Sequence, residues 1–142
     1  MKIDSPQIIH DTIVEIKYIN RPLYLIQNIN GTWDNDQYLT GQERWEVKQK
    51  DGDSIVYIFR NTKELVDIGV GIFDRTSNLF RIAIYREGKS DNCHAKFSFI
   101  WKLSKEDNTI INFSFRTLEL TGGGVCGSPM VNKLDTGHHL IK

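Results

Sequence analysis

The chain has 142 residues, 39% of them hydrophobic and 25% charged, and its 18 Lys and Arg are matched by 18 Asp and Glu. That length suits one domain with a buried core, and a formal charge of zero gives no general attraction to nucleic acid or to a membrane surface. No apolar run approaches the ~20 residues of a membrane span, and Met1-Lys-Ile-Asp4 lacks a signal-peptide core, so no membrane partner is expected.

In chain order, alternating runs rich in β-branched and aromatic residues predict strands over Thr12–Ile19, Leu23–Ile26, Arg44–Val47, Ser54–Phe59 and Val66–Phe73. The same pattern continues over Leu79–Tyr85, Phe97–Leu103 and Thr109–Phe115. Between these runs lie turn formers: Asn30-Gly31, Asp51-Gly-Asp53, Arg75-Thr-Ser-Asn78, Glu87-Gly-Lys-Ser-Asp91 and Lys105-Glu-Asp-Asn108. Regular strands with short turns predict an all-β barrel or sandwich, read as one domain over residues 1–142. No stretch sustains a helical period. Trp45-Glu-Val and Trp101-Lys-Leu each precede a turn and another strand, and Asp11-Thr-Ile-Val begins similarly. Three such units suggest a β-trefoil, a binding architecture, as the alternative.

Two cysteines, Cys93 and Cys126, are too few for a disulfide framework, so the expectation is a reducing compartment and a free Cys126. The sequons at Asn30 and Asn112 are then accidental. Cys126 sits in Thr121-Gly-Gly-Gly-Val-Cys126-Gly-Ser-Pro129, followed by Met130 and Val131. Small residues around a cysteine allow a tight turn that aims several N–H groups at one point, as an oxyanion hole requires.

The string Thr121-x-x-Gly124-x-Cys126-Gly127-Ser128-Pro129 resembles the nucleophile turn of picornavirus-like main proteases, cysteine proteases of the chymotrypsin fold. Asp67-Ile-Gly-Val-Gly-Ile-Phe73, followed by Leu79-Phe-Arg81, resembles the family's stretch carrying the catalytic acid. The resemblance implies a chymotrypsin-like β-barrel arrangement and peptide hydrolysis at Gln or Glu sites of a polyprotein, in a host cytoplasm. It implies Cys126 as nucleophile, Asp67 as orienting acid, and an oxyanion hole from Gly124, Val125 and Cys126. Thr121 and His139, the latter from Gly137-His-His139, would line the specificity pocket. His10 is the histidine that precedes the acid and so stands as the base, with little chain before it. Against the family pattern the chain is short at both ends.

Other groupings are weaker. Cys93, His94, Cys126, His138 and His139 lack the paired spacing of a zinc site, so no metal or other cofactor is expected. Trp33, Trp45 and Trp101 suit a core better than a stacking surface. Arg60, Arg75, Arg81, Arg86 and Lys89 suggest a basic face for RNA, but interleaved acids favour a solvated surface. As a trefoil, the chain would be a lectin or a protease inhibitor. The Gln-x-Trp lectin signature is absent, and an inhibitor would use a loop such as Lys48–Asp53.

Overall fold

A computed structural model describes residues 23–36, 43–127 and 130–142. They form eight strands: β1 (Gly31–Asn35), β2 (Arg44–Gln49), β3 (Ile55–Asn61), β4 (Leu65–Asp74), β5 (Leu79–Gly88), β6 (His94–Leu103), β7 (Ile110–Thr121) and β8 (Leu134–Ile141). Each pairs antiparallel with its neighbours in sequence, and β1 pairs with β8, closing the sheet into a barrel. The expected all-β barrel is therefore observed. The strand order refines the chymotrypsin-like arrangement inferred from the turn at Cys126: consecutive strands make an up-and-down meander without a crossover. The three-unit trefoil is absent from it.

Period-two alternation does most of this work. On β4, Leu65, Asp67, Gly69, Gly71 and Phe73 face inward while Ile68, Val70 and Ile72 face out. The two inward glycines admit the neighbouring strands' side chains. A Cβ on Gly71 would lie 2.5 Å from Ile82 Cγ1 and 3.0 Å from Val56 Cγ2. The β4–β5 turn is pinned by Asp74, whose carboxylate accepts from Ser77 Oγ, Thr76 Oγ1 and the Thr76 N–H. Those bonds, that from Ser77 foremost, hold its pKa well below the usual carboxylate range.

The barrel interior divides into two halves. Toward the β2–β3, β4–β5 and β6–β7 turns it is an apolar plug of Trp33, Val56, Ile58, Phe73, Phe80, Trp101, Ile111 and Leu140. Residues 23–30, predicted in part as a strand, carry no strand and run across this end instead. Tyr24 N–H donates to the Arg75 carbonyl at 2.8 Å, and Ile29 N–H donates to Gln49 Oε1 at 2.9 Å. Trp33 Nε1 donates to the Ile29 carbonyl at 2.8 Å, and the Lys142 ammonium lies 5.5 Å from the Trp33 ring. Toward the opposite end the interior becomes polar, and a cavity begins. Among the described residues, no helix is long and apolar enough to cross a membrane.

Candidate functional site in the barrel interior

The alternation that buries Ile58 also buries Arg60, two residues on, and the alternation through Ile82 and Ile84 brings Arg86 inward. Both guanidiniums converge on Asp67, which is fully buried at the inward face of β4. Asp67 accepts from Arg60 Nε at 2.8 Å and Nη2 at 2.7 Å, and from Arg86 Nε at 2.7 Å and Nη2 at 3.2 Å. Arg60 Nη1 reaches Glu43 at 2.6 Å, and Arg86 Nη1 donates to the Cys126 carbonyl at 3.4 Å. Formal charges of Arg60, Arg86, Asp67 and Glu43 cancel, so two guanidiniums can sit in a low-dielectric interior. Each guanidinium has five N–H donors and spends three on these partners, which leaves donors to offer a ligand.

Aromatic rings complete the walls. Arg60 lies over Trp45 at 4.7 Å and Arg86 over Phe97 at 4.8 Å, so the rings also fix the guanidinium planes. Phe99 stacks on Phe115 at 5.0 Å, and Phe113 stacks on His138 at 5.0 Å. His138 Nε2 is 2.7 Å from Asp135 Oδ1, while its buried Nδ1 has no hydrogen-bond partner among the described residues. Together these side chains surround a cavity of about 510 Å³ bounded by Val125, Cys126 and Gly127. A depression of about 670 Å³ on the outer side of β1–β3 is larger but shallow, lined largely by Glu46, Lys48, Gln49 and Lys50. The interior cavity is the better site, because it is deeper and its aromatic walls carry a few convergent polar groups, as small-ligand sites do.

The turn at Cys126 has a different task from the one expected. Cys126 is bonded to Cys93, and there is no free cysteine among the described residues. The expected nucleophile thus carries no thiolate, the species that would attack a carbonyl. Two of the three expected oxyanion donors are also spent. Val125 N–H donates to Asp91 Oδ2 at 3.1 Å, and Cys126 N–H donates to the Gly123 carbonyl at 3.3 Å. Gly124 serves close packing: with φ of 62°, a Cβ there would lie against the Asp91 carboxylate. The glycines let the short 3₁₀ turn Gly124–Cys126 press onto the β5–β6 connection, where the disulfide fastens it.

Asp67 orients two arginines rather than a histidine. His10 lies outside the described residues. Thr121 ends β7 opposite His94, exposed. His139 faces outward on β8, 3.5 Å from Asp36, and its neighbour His138 is the histidine that lines the cavity. Arg60 and Arg86, expected on a solvated surface, instead turn inward, Arg60 buried and Arg86 partly so. Comparison with known proteins finds no matching family model, no matching curated protein and no matching solved structure.

Proposed function

We propose that this chain is a binding protein that holds one small molecule inside its barrel. The carrying observation is the half-open cavity of about 510 Å³, lined by five aromatic residues and by the guanidiniums of Arg60, buried, and Arg86, partly buried, both locked on Asp67. That volume falls within the range of small-molecule sites. Closed antiparallel barrels of eight strands are also wide enough to hold one small ligand, as lipocalins and streptavidin do. The ligand chemistry follows from the walls. A flat apolar body fits among Phe97, Phe99, Phe113 and Phe115, and a carbonyl, carboxylate or sulfonate group meets the spare donors of Arg60 and Arg86. The Cys93–Cys126 bond favours an oxidising compartment over the cytoplasm. Peptide cleavage at the Thr121–Gly127 turn and RNA binding have no observation in their favour among the described residues.

Titration with anilinonaphthalene sulfonate, an aromatic body bearing a sulfonate, tests this reading. Saturable binding at one site is expected, with quenching of tryptophan emission because Trp45 lines the cavity. Arg86→Met should weaken it by roughly tenfold or more, the worth of one charge-assisted hydrogen bond. Val70→Lys, on the outer wall, should bind as the wild type does. Non-saturable binding, or binding that Val70→Lys abolishes and Arg86→Met leaves untouched, would place the dye outside and end the proposal.

A further inference from the structure

The outer wall of the barrel carries a second feature that the interior does not explain. Ile55, Tyr57 and Phe59 on β3 stand directly opposite Ile72, Val70 and Ile68 on β4. All six point outward and are exposed, Tyr57 by 60% and Ile68 and Ile72 by 58% each. Tyr85 on β5, opposite Ile68, extends the row at 39% exposure. Directly opposite residues on one face have Cβ atoms about 5 Å apart, so the seven side chains form one continuous patch. At roughly 200 Å² for a fully exposed large apolar residue, their exposures, backbone and the Tyr hydroxyls included, amount to on the order of 700 Å². That exceeds the largest patch of a typical monomer, about 300–600 Å². It is close to the ~800 Å² that each partner contributes to a standard interface.

We infer that this patch is a two-fold interface between two copies of the chain. Its centre carries no charge, and an uncharged pleated face of Ile, Val, Tyr and Phe can pack against the same face of a second copy, as an isologous contact requires. Stacked sheet faces pack about 10 Å apart with side chains interdigitating, which suits these alternating rows. The rim carries both signs: Glu46 and Lys48 flank Phe59 and Tyr57 from β2, Arg81, paired with Asp74, flanks Ile72 from β5, and Lys96, 3.7 Å from Glu119, flanks Tyr85 from β6. A rim of mixed charge offers no steering to a strongly acidic or basic partner and none to an anionic membrane. The interface stands apart from the lumen, so each copy keeps its own cavity.

Sedimentation equilibrium of the full chain decides this. The wild type should behave as a reversible dimer over micromolar concentrations. The Ile68→Lys/Val70→Lys variant should fall to half that mass, with its dissociation constant weakened by at least about a hundredfold and unchanged dye binding in the lumen. Tyr57→Gln, a milder change on an outward position, should weaken the dimer without adding charge, which covers any folding failure of the double variant. A wild type that stays monomeric, or a folded double variant that stays dimeric, overturns the inference. So does a monomer that co-sediments with phosphatidylcholine vesicles and loses that ability in the variants.

Discussion

At the scale of single residues, Asp67 decides whether the interior can hold two cations. It is fully buried and bonds both Arg60 and Arg86, whose side chains are 6% and 15% exposed. Asp67→Asn keeps the shape but removes the shared counter-charge, leaving two guanidiniums against Glu43 alone. Breaking a buried ion pair by removing one partner costs about 3–5 kcal/mol, and urea unfolding of Asp67→Asn should show a loss of that order. A loss below about 1 kcal/mol would mean that water already reaches the cluster and screens it. This network was legible in the sequence as parity: Arg60 follows Val56 and Ile58, and Asp67 precedes Gly69 and Gly71, on the inward register. Grouping the arginines by sign alone hid that. Asp67 stood out through its likeness to a catalytic acid, but its partners in the barrel are Arg60 and Arg86, and among the described residues no histidine bonds it.

At the scale of elements, the disulfide ties the turn Gly124–Cys126 to the connection after β5, and that turn forms one wall of the cavity. In the chain-entropy model, cross-linking residues 33 apart stabilises by about 3–4 kcal/mol. The Cys93→Ala/Cys126→Ala variant should lose stability of that order and bind the interior dye more weakly, because Val125, Cys126 and Gly127 are no longer held against the lumen. Iodoacetamide should label neither cysteine until the protein is reduced. Labelling of Cys126 without reductant would restore a thiol there and contradict the bond. Two cysteines far apart in sequence carry no sign of pairing, so a glycine-rich turn around one of them read as nucleophile presentation. The same physics of tight packing serves both outcomes. Strands β2 to β7 were legible from alternation, but β1 and β8 were not. Gly31 in Gly31-Thr-Trp-Asp-Asn35 and Gly137 in Leu134-Asp-Thr-Gly137 have φ of 131° and 82°, and few apolar residues surround them. Barrel closure, rather than local propensity, makes those segments strands.

At the scale of the whole molecule, β1 closes on β8 through Asp34–Ile141 and Asn35–Leu140, and the two ends of the barrel so formed are free to specialise. One end keeps the polar cavity, and the other is sealed by residues 23–30. That seal hangs on Gln49: its Oε1 accepts from Ile29 N–H, and its Nε2 donates to the Gln27 carbonyl at 2.8 Å and the Asp53 carbonyl at 2.9 Å. Ile29 is fully buried, and its carbonyl in turn accepts from Trp33 Nε1. Gln49→Ala strands a buried backbone N–H and should cost about 1–3 kcal/mol. Hydrogen exchange at Ile29 should accelerate, with Trp33 emission shifting to the red as water reaches the indole. Because the apolar plug of Phe73, Phe80 and Trp101 separates this end from Arg60 and Arg86, the interior dye should bind Gln49→Ala within about twofold of wild type, within ~0.4 kcal/mol. A large loss of affinity would show that the seal shapes the cavity through the plug and that the ends are coupled.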